Sequence, residues 1–368
     1  MTSNFAAKTA SEASPRRWGW RSFILLGCLL WVICGGSAAH AFSRGVNLPG
    51  LGWGPSALPG VLNQNYNMNS QADYEYFAGK GLTLIRLPIL WERIQPTLNG
   101  PLDSTYLSYI QQNIAWASAQ GAKVILDIHN YGWYNVDQNG TYTAYAIDTP
   151  NSSNQTIGVT SANFANLWAQ LSSQFASNST VYAYDLMNEP SALSPAIWHN
   201  ASQAAVTAIR QNGDSKLIMV EGAYWAGAGS WTSDNSVNGS DAPWISDPDN
   251  NIEYEAHEYF DHDSSGNYTW TYDQELAANP DLPMVGATRL ANFADWCQQY
   301  GVRGYLGEYG IPNGDVRWNA VLDNFLFALD AAGFDGTEWA GGDWWGNNFS
   351  RSSRRTTSRR MRRRWPFC

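Results

Sequence analysis

Two short segments concentrate side chains able to do acid–base and nucleophilic chemistry. In Tyr184-Asp185-Leu186-Met187-Asn188-Glu189-Pro190 an apolar, strand-like run ends on Asn-Glu-Pro. In Gly304-Tyr305-Leu306-Gly307-Glu308-Tyr309-Gly310 a second run ends on a glutamate between glycines. Alone, the first also fits a helix start, with proline in the first turn and an acid facing the dipole. Alone, the second also fits an acidic turn. Together they supply two carboxylates at two strand ends. One could protonate a leaving oxygen while the other attacks carbon or activates water, which is what glycoside hydrolysis requires. Other apolar runs also end on polar or aromatic residues: Arg86, His129-Asn130, Glu221, His257 with Tyr259, and Trp339. Buried strands do not otherwise carry charge. Asp127 and Asp185 lie deeper, and their alternation suggests structural roles. Glu221, Glu255 and Glu258 receive no role.

The elements that must position these groups follow from the apolar pattern. Strand-like runs fall at Arg44–Leu48, Leu82–Leu87, Lys123–His129, Tyr182–Asn188, Lys216–Gly222, Ile252–Tyr259, Val302–Glu308 and Gly333–Trp339. Helical periodicity lies between them, near Ser70–Lys80, Asp103–Gln120, Ser161–Ala176, Ser194–Gln211, Gly286–Tyr300 and Asp315–Ala332. Alternating buried strands and helices predict a parallel sheet, and eight units in about 300 residues suit a closed (β/α)₈ TIM barrel of one catalytic domain. A doubly wound sheet is the alternative, but Gly45-Val46-Asn47-Leu48-Pro49 is not a phosphate-binding glycine loop. On a barrel the two carboxylates, three strands apart, would face each other across the mouth.

Composition narrows the partner. The chain has 368 residues, a net charge of −10, 44% hydrophobic and 15% charged residues, with 19 Trp and 19 Tyr. Residues 42–350 hold 10 Lys/Arg against 31 Asp/Glu. Such a body repels nucleic acid and anionic lipid and suits a neutral partner. Its aromatic faces then suit sugars. Trp53, Trp133, Tyr134, Trp225, Trp231, Trp344 and Trp345 fall in strand-end loops and could line a cleft. Trp116, Trp168 and Trp296 follow helical patterns and belong to the core. Rival motifs fail. His257-Glu258 with His262 has the wrong spacing for a zinc helix, and Asp261-x-Asp263-x-Ser265-Gly266 lacks the twelfth-position Glu of a calcium loop. No metal and no cofactor is expected.

The two ends differ from the body. Residues 1–41 read as a signal peptide: Arg16, Arg17 and Arg21, an apolar Ser22–Ser37, and Ala39-His40-Ala41 as a small-x-small cleavage site. A secreted product, extracellular or periplasmic, meets the membrane only during export. Cys28 and Cys34 leave with that segment, so Cys297 and Cys368 do not make a disulfide scaffold. Residues 42–349 form the catalytic domain. Residues 350–368 form an Arg-rich tail, expected to be disordered or frame-shifted.

The strand-end set resembles glycoside hydrolase family 5, in the branch of microbial endo-β-1,4-glucanases (cellulases). The resemblance runs from about Arg44 to Gly346. It rests on Arg86 in Ile-Arg-Leu-Pro, His129 in Asp-Ile-His-Asn-Tyr, Asn188-Glu189, His257-x-Tyr259, Glu308 and Trp339, in family order. The branch is marked by the stretch His257–Gly266, by Ala228-Gly229-Ser230-Trp231 and by Trp339-Ala340-Gly341-Gly342-Asp343-Trp344-Trp345-Gly346.

The resemblance implies retaining hydrolysis of internal β-1,4-glucosidic bonds by a monomer. Glu189 would be acid/base and Glu308 nucleophile. Arg86, His129, Asn130, Asn188, His257, Tyr259, Trp231, Trp339 and Trp344 would bind substrate or support the pair. Mannanase, mixed-linkage glucanase and xyloglucanase use the same pair, and a non-catalytic carbohydrate-binding barrel is the reading from another class. Where the family continues into a last helix, this chain has its Arg-rich tail, which implies a weakened barrel seam.

Overall fold

The computed structural model describes residues 43–342 except Asn154. The segment read as a signal peptide, the Arg-rich tail, Trp344 and Trp345 therefore lie outside the described residues, and so does the expected replacement of the last helix. Eight parallel strands close a barrel in the order β1 (Arg44–Asn47), β2 (Leu84–Ile89), β3 (Lys123–Ile128), β6 (Val181–Asp185), β7 (Leu217–Glu221), β8 (Ile252–Tyr259), β9 (Gly304–Gly310) and β10 (Asp335–Glu338). β10 pairs back onto β1, with Arg44 opposite Gly336 and Val46 opposite Glu338. Each of the eight strand-like runs in the sequence overlaps one of these strands, although β2 and β9 extend two residues beyond their runs and β6 starts one residue earlier.

Helices cover the barrel because their starts and stops are written locally. Gln71–Ala78 begins with a Ser70–Asp73 capping box, and Ser161–Phe175 with a Thr160–Asn163 box. The Asp103 side chain caps Ser104–Ala119. Val285–Tyr300 and Trp318–Ala332 each stop at a left-handed glycine, Gly301 and Gly333. The helix after β6 starts at Pro195, not at Pro190. Asn188-Glu189-Pro190 is thus a loop, and the helix-start reading of that segment fails.

Two additions were not foreseen. An antiparallel hairpin, β4 (Trp133–Gln138) with β5 (Thr141–Ala146), follows β3. Its period-2 alternation leaves Trp133 exposed and buries Tyr134, whose hydroxyl donates to the Gln95 carbonyl at 2.8 Å. The long connection after β1 is gripped by Arg93, which donates to the carbonyls of Leu51, Trp53, Gly54 and Pro59 at 2.7–3.0 Å. That grip fixes the backbone at Trp53, whose ring is exposed. Among the described residues no helix is long and apolar enough to cross a membrane.

Candidate active site

The site is organised around one buried cation. Arg86, on β2, is fully buried. A guanidinium has five N–H donors, and here each meets an acceptor. Nε donates to Asp185 Oδ2 (2.8 Å), Nη1 to Asn47 Oδ1 (3.1 Å) and Glu308 Oε1 (2.9 Å), Nη2 to Asn188 Oδ1 (3.0 Å) and Glu221 Oε1 (2.9 Å). Asp127 and Glu255 stand 3.2 and 3.4 Å away. Burial opposes the Arg86 charge, but Asp127, Asp185, Glu255 and Glu308 hold it well above its ordinary value. Burial pushes Asp185 well up, helped by Glu255, and pushes Glu221 up to about 8 against the pull of His257.

Glu308 is thereby fixed from two sides. Arg86 takes one oxygen, and the Tyr259 hydroxyl donates to the other at 2.8 Å. Burial and then the Glu308 charge drive the Tyr259 phenol well above its ordinary value, so it stays a donor. Gly307, before Glu308, must be glycine. A Cβ there would stand 1.7 Å from Glu255 Oε1.

Glu189 approaches from the opposite wall. One oxygen each from Glu189 and Glu308, with a nitrogen of His257, lie within 4.8 Å of one another. That agrees with the roughly 5–5.5 Å of retaining glycosidases rather than the roughly 6.5–9.5 Å that leaves room for an attacking water. His257 Nδ1 lies 2.8 Å from Glu189 Oε1. Burial alone would lower the His257 imidazole, yet Glu221 and Glu308 carry it well above its ordinary value. Protonated, it donates to Glu189. Glu189 itself sits at φ 40°, in the left-handed region that costs a non-glycine residue about 1–2 kcal/mol. Its backbone N–H donates to Glu221 Oε2 at 2.6 Å.

Asn188 turns its Oδ1 to Arg86, while its buried Nδ2 has no protein partner and is left for a ligand. His129 donates to or accepts from Asp127 through Nδ1 (2.7 Å), faces the Tyr131 hydroxyl with Nε2 (3.3 Å) and stacks on Trp339 with planes 4° apart. A cavity of about 660 Å³ opens beside the pair, lined by Glu189, His257, Tyr259, Trp225 and Arg289 among others. Trp225 is 62% exposed at its edge.

Arg86, His129, Asn188, Glu189, His257, Tyr259, Glu308 and Trp339 therefore converge as expected. Two residues do not. Trp231 is fully buried, its ring within 4.4–6.3 Å of Phe293, Trp296, Trp244 and Tyr254. It packs under the β7 loop against Gly222, so it supports the wall and cannot stack a sugar. Asn130 spends its amide on the Trp91 N–H (2.8 Å) and on Glu92 (2.6 Å), inside the wall. Tyr134 is likewise core.

Conversely, Asp127, Asp185, Glu221, Glu255 and Asn47 belong to the site's support. Their signal is a lone acid in a mostly apolar strand, Asp127 in β3, Asp185 in β6 and Glu221 in β7, and one such residue at a time reads as structure. The calcium-like loop spends Asp261 on the N–H groups of Gly266 and Tyr268 and on Ser265 Oγ, at 2.9–3.1 Å. Two sets, Glu189/His257/Glu308 and Glu221/Glu255/His257, have the crowding of metal ligands. Both share a His257 whose Nδ1 donates and which lies beside Arg86's acids, so protein cations already fill the role of a bound one.

Known proteins with this arrangement agree. The cellulase (glycosyl hydrolase family 5) model matches residues 43–348. Endoglucanase gh5-1 of Neurospora crassa is 31% identical over 307 residues, 82% of this chain and 70% of that protein. The crystal structure of an endo-beta-1,4-glucanase from Xanthomonas axonopodis pv. citri superposes with a TM-score of 0.73 at 36% identity, covering 88% of this chain and 99% of that one. XacCel5A, solved in complex with cellopentaose, gives 0.72 at 34%, covering 84% and 92%. A model spanning the whole described barrel leaves no room for a chance match of motifs: the chain belongs to glycosyl hydrolase family 5.

Proposed function

We propose that this enzyme is a secreted, monomeric endo-β-1,4-glucanase that retains anomeric configuration. The observation that carries the reading is the approach of Glu189 and Glu308 to within 4.8 Å, each held by its own partner. Glu308, held by Arg86 and Tyr259, attacks the anomeric carbon as the glycosidic bond breaks. Glu189 gives its proton to the leaving oxygen. A glycosyl ester on Glu308 results. Glu189, now a carboxylate, takes a proton from water, which attacks the same carbon and frees Glu308. Asn188 Nδ2 meets the sugar's 2-hydroxyl, and Trp339, braced by His129, floors the ring.

The substrate class rests on relatives that are endoglucanases and on one solved with cellopentaose. Secretion rests on Arg16, Arg17, Arg21 and the small-x-small Ala39-His40-Ala41. One chain supplies the whole catalytic set, which supports the monomer. Reducing-sugar release by residues 42–368 from carboxymethylcellulose, mixed-linkage glucan and mannan tests the activity and the substrate class, and the anomer first released, read by NMR, tests retention. The expected result is glucan cleavage that falls roughly a thousandfold or more in Glu189→Gln and Glu308→Gln. Preferential mannan cleavage would move the enzyme to the neighbouring specificity. A folded protein with no cleavage would leave a binding barrel.

A further inference from the structure

Glu221 has no part in the reaction as written, yet it touches three groups that do. It lies at the end of β7, fully buried. Oε2 accepts the Glu189 N–H at 2.6 Å, and Oε1 accepts Arg86 Nη2 at 2.9 Å. His257 Nε2 stands 3.3 Å from Oε1. The Glu221 carbonyl is held in turn by Trp198 Nε1 at 2.7 Å, so the strand end does not drift. Glu189 is the one catalytic group whose backbone is left-handed, and no glycine relieves it. Something must stabilise that turn. Ser191 N donating to Glu189 O at 2.5 Å is local, Tyr131 N donating to Asn188 O and Ala192 N to Tyr131 O tie the flanks to the β3 loop, and Glu221 supplies the contact to the Glu189 N–H itself.

We propose that Glu221 is a positioning residue for the acid/base: its carboxylate holds the left-handed Glu189 backbone so that the side chain meets the leaving oxygen, and joins it through Arg86 to the group that orients Glu308. The inference rests on the reading of Glu189 as acid/base. As a carboxylate, Glu221 accepts through both oxygens. An amide in its place presents NH₂ to either the Glu189 N–H or Arg86, donor against donor.

The test uses leaving-group demand. Cellotetraose needs protonation of its leaving oxygen, whereas 2,4-dinitrophenyl β-cellobioside expels a stable phenolate and does not. Wild type, Glu221→Gln and Glu189→Gln are compared by kcat/KM on both, with circular dichroism and melting as folding checks. Glu221→Gln is expected to lose about a hundredfold on cellotetraose and about threefold or less on the aryl substrate. Glu189→Gln should show a wider split in the same direction. Equal losses of Glu221→Gln on both substrates, with Glu189→Gln still discriminating, would overturn the positioning role alone. Equal losses in Glu189→Gln would overturn the acid/base reading and the inference with it. Glu221→Asp keeps the charge beside Arg86 but withdraws the oxygen from the Glu189 N–H. It carries the same comparison, with the same expected split, if the glutamine variant does not fold.

Discussion

The barrel interior is two different solvents stacked on the same strands. Toward the N-terminal strand ends Leu84, Ile125, Ala183, Leu217, Met219 and Tyr305 form a small closed apolar cluster. Two residues further along, β2 gives Arg86 for Leu84, β3 gives Asp127 for Ile125, β6 gives Asp185 for Ala183, and β7 gives Glu221 for Met219. Residues i and i+2 share a strand face, so one step of the pleat replaces an alkyl floor by a cage of ions. The lower layer follows ordinary burial. The upper layer opposes it, since each charge is stripped of water and only mutual contacts compensate. The lower layer gains from burial alone, whereas the upper layer carries the catalytic groups and stands only while its pairs are complete.

Breaking the upper layer should have the largest effect. Arg86→Met removes the guanidinium shared by five acids and leaves only His257 beside them, and we expect activity to vanish and urea unfolding to show a loss of about 3–5 kcal/mol. Retention of full stability would mean the acids simply protonate. Next comes pH. Asp185 and Glu221 are raised in the folded protein, so they bind protons more tightly there than when unfolded. Their contribution is complete below the ordinary carboxyl range and is lost as pH climbs through their folded values, about 8 for Glu221. His257, also raised, has the same sign. Unfolding midpoints should therefore fall between pH 5 and pH 9, and Glu221→Gln should flatten that fall. An unchanged slope would deny Glu221 its shift.

A milder break is Gly266→Ala. Gly266 sits at φ +71°, and a Cβ would come 2.7 Å from the Tyr259 ring. We expect roughly a tenfold loss in kcat, because the ring that donates to Glu308 must move. In a Tyr259→Phe background that loss should disappear, which a double-mutant cycle measures. The smallest effect sharpens the contrast from below. Ile125→Val should cost about 0.5–1.5 kcal/mol and leave kcat untouched. A matching loss of activity would show the two layers to be coupled.

Much of this was legible beforehand. Apolar runs gave all eight strands, and side chains at their ends gave eight residues of the site, because burial punishes a charge on a strand unless it has work to do. Trp231 misled because a loop position says nothing about which way a ring turns. Here Gly222 opens a slot and the ring fills it. Asn130 misled because it adjoins His129 but points to the other face. Glu221 and Glu255 carry no role in the sequence alone, since only closure of the barrel shows that they meet Arg86. The hairpin after β3 was missed because its alternation is polar on one face and too short to stand out.

The pairing of β1 with β10 also sets a clock. Asn47, which orients Arg86, and Thr337, whose carbonyl lies 3.4 Å from the Asn47 amide, are 290 residues apart in sequence. A ribosome adding about 5–20 residues per second takes roughly a quarter of a minute to a minute to make that interval. Until the last strand emerges, Arg86 lacks one of its five acceptors' anchors and Trp339 does not yet exist. The nascent chain is therefore born inactive, and its hydrolytic power arrives in a single late event, when the first strand finally meets the eighth.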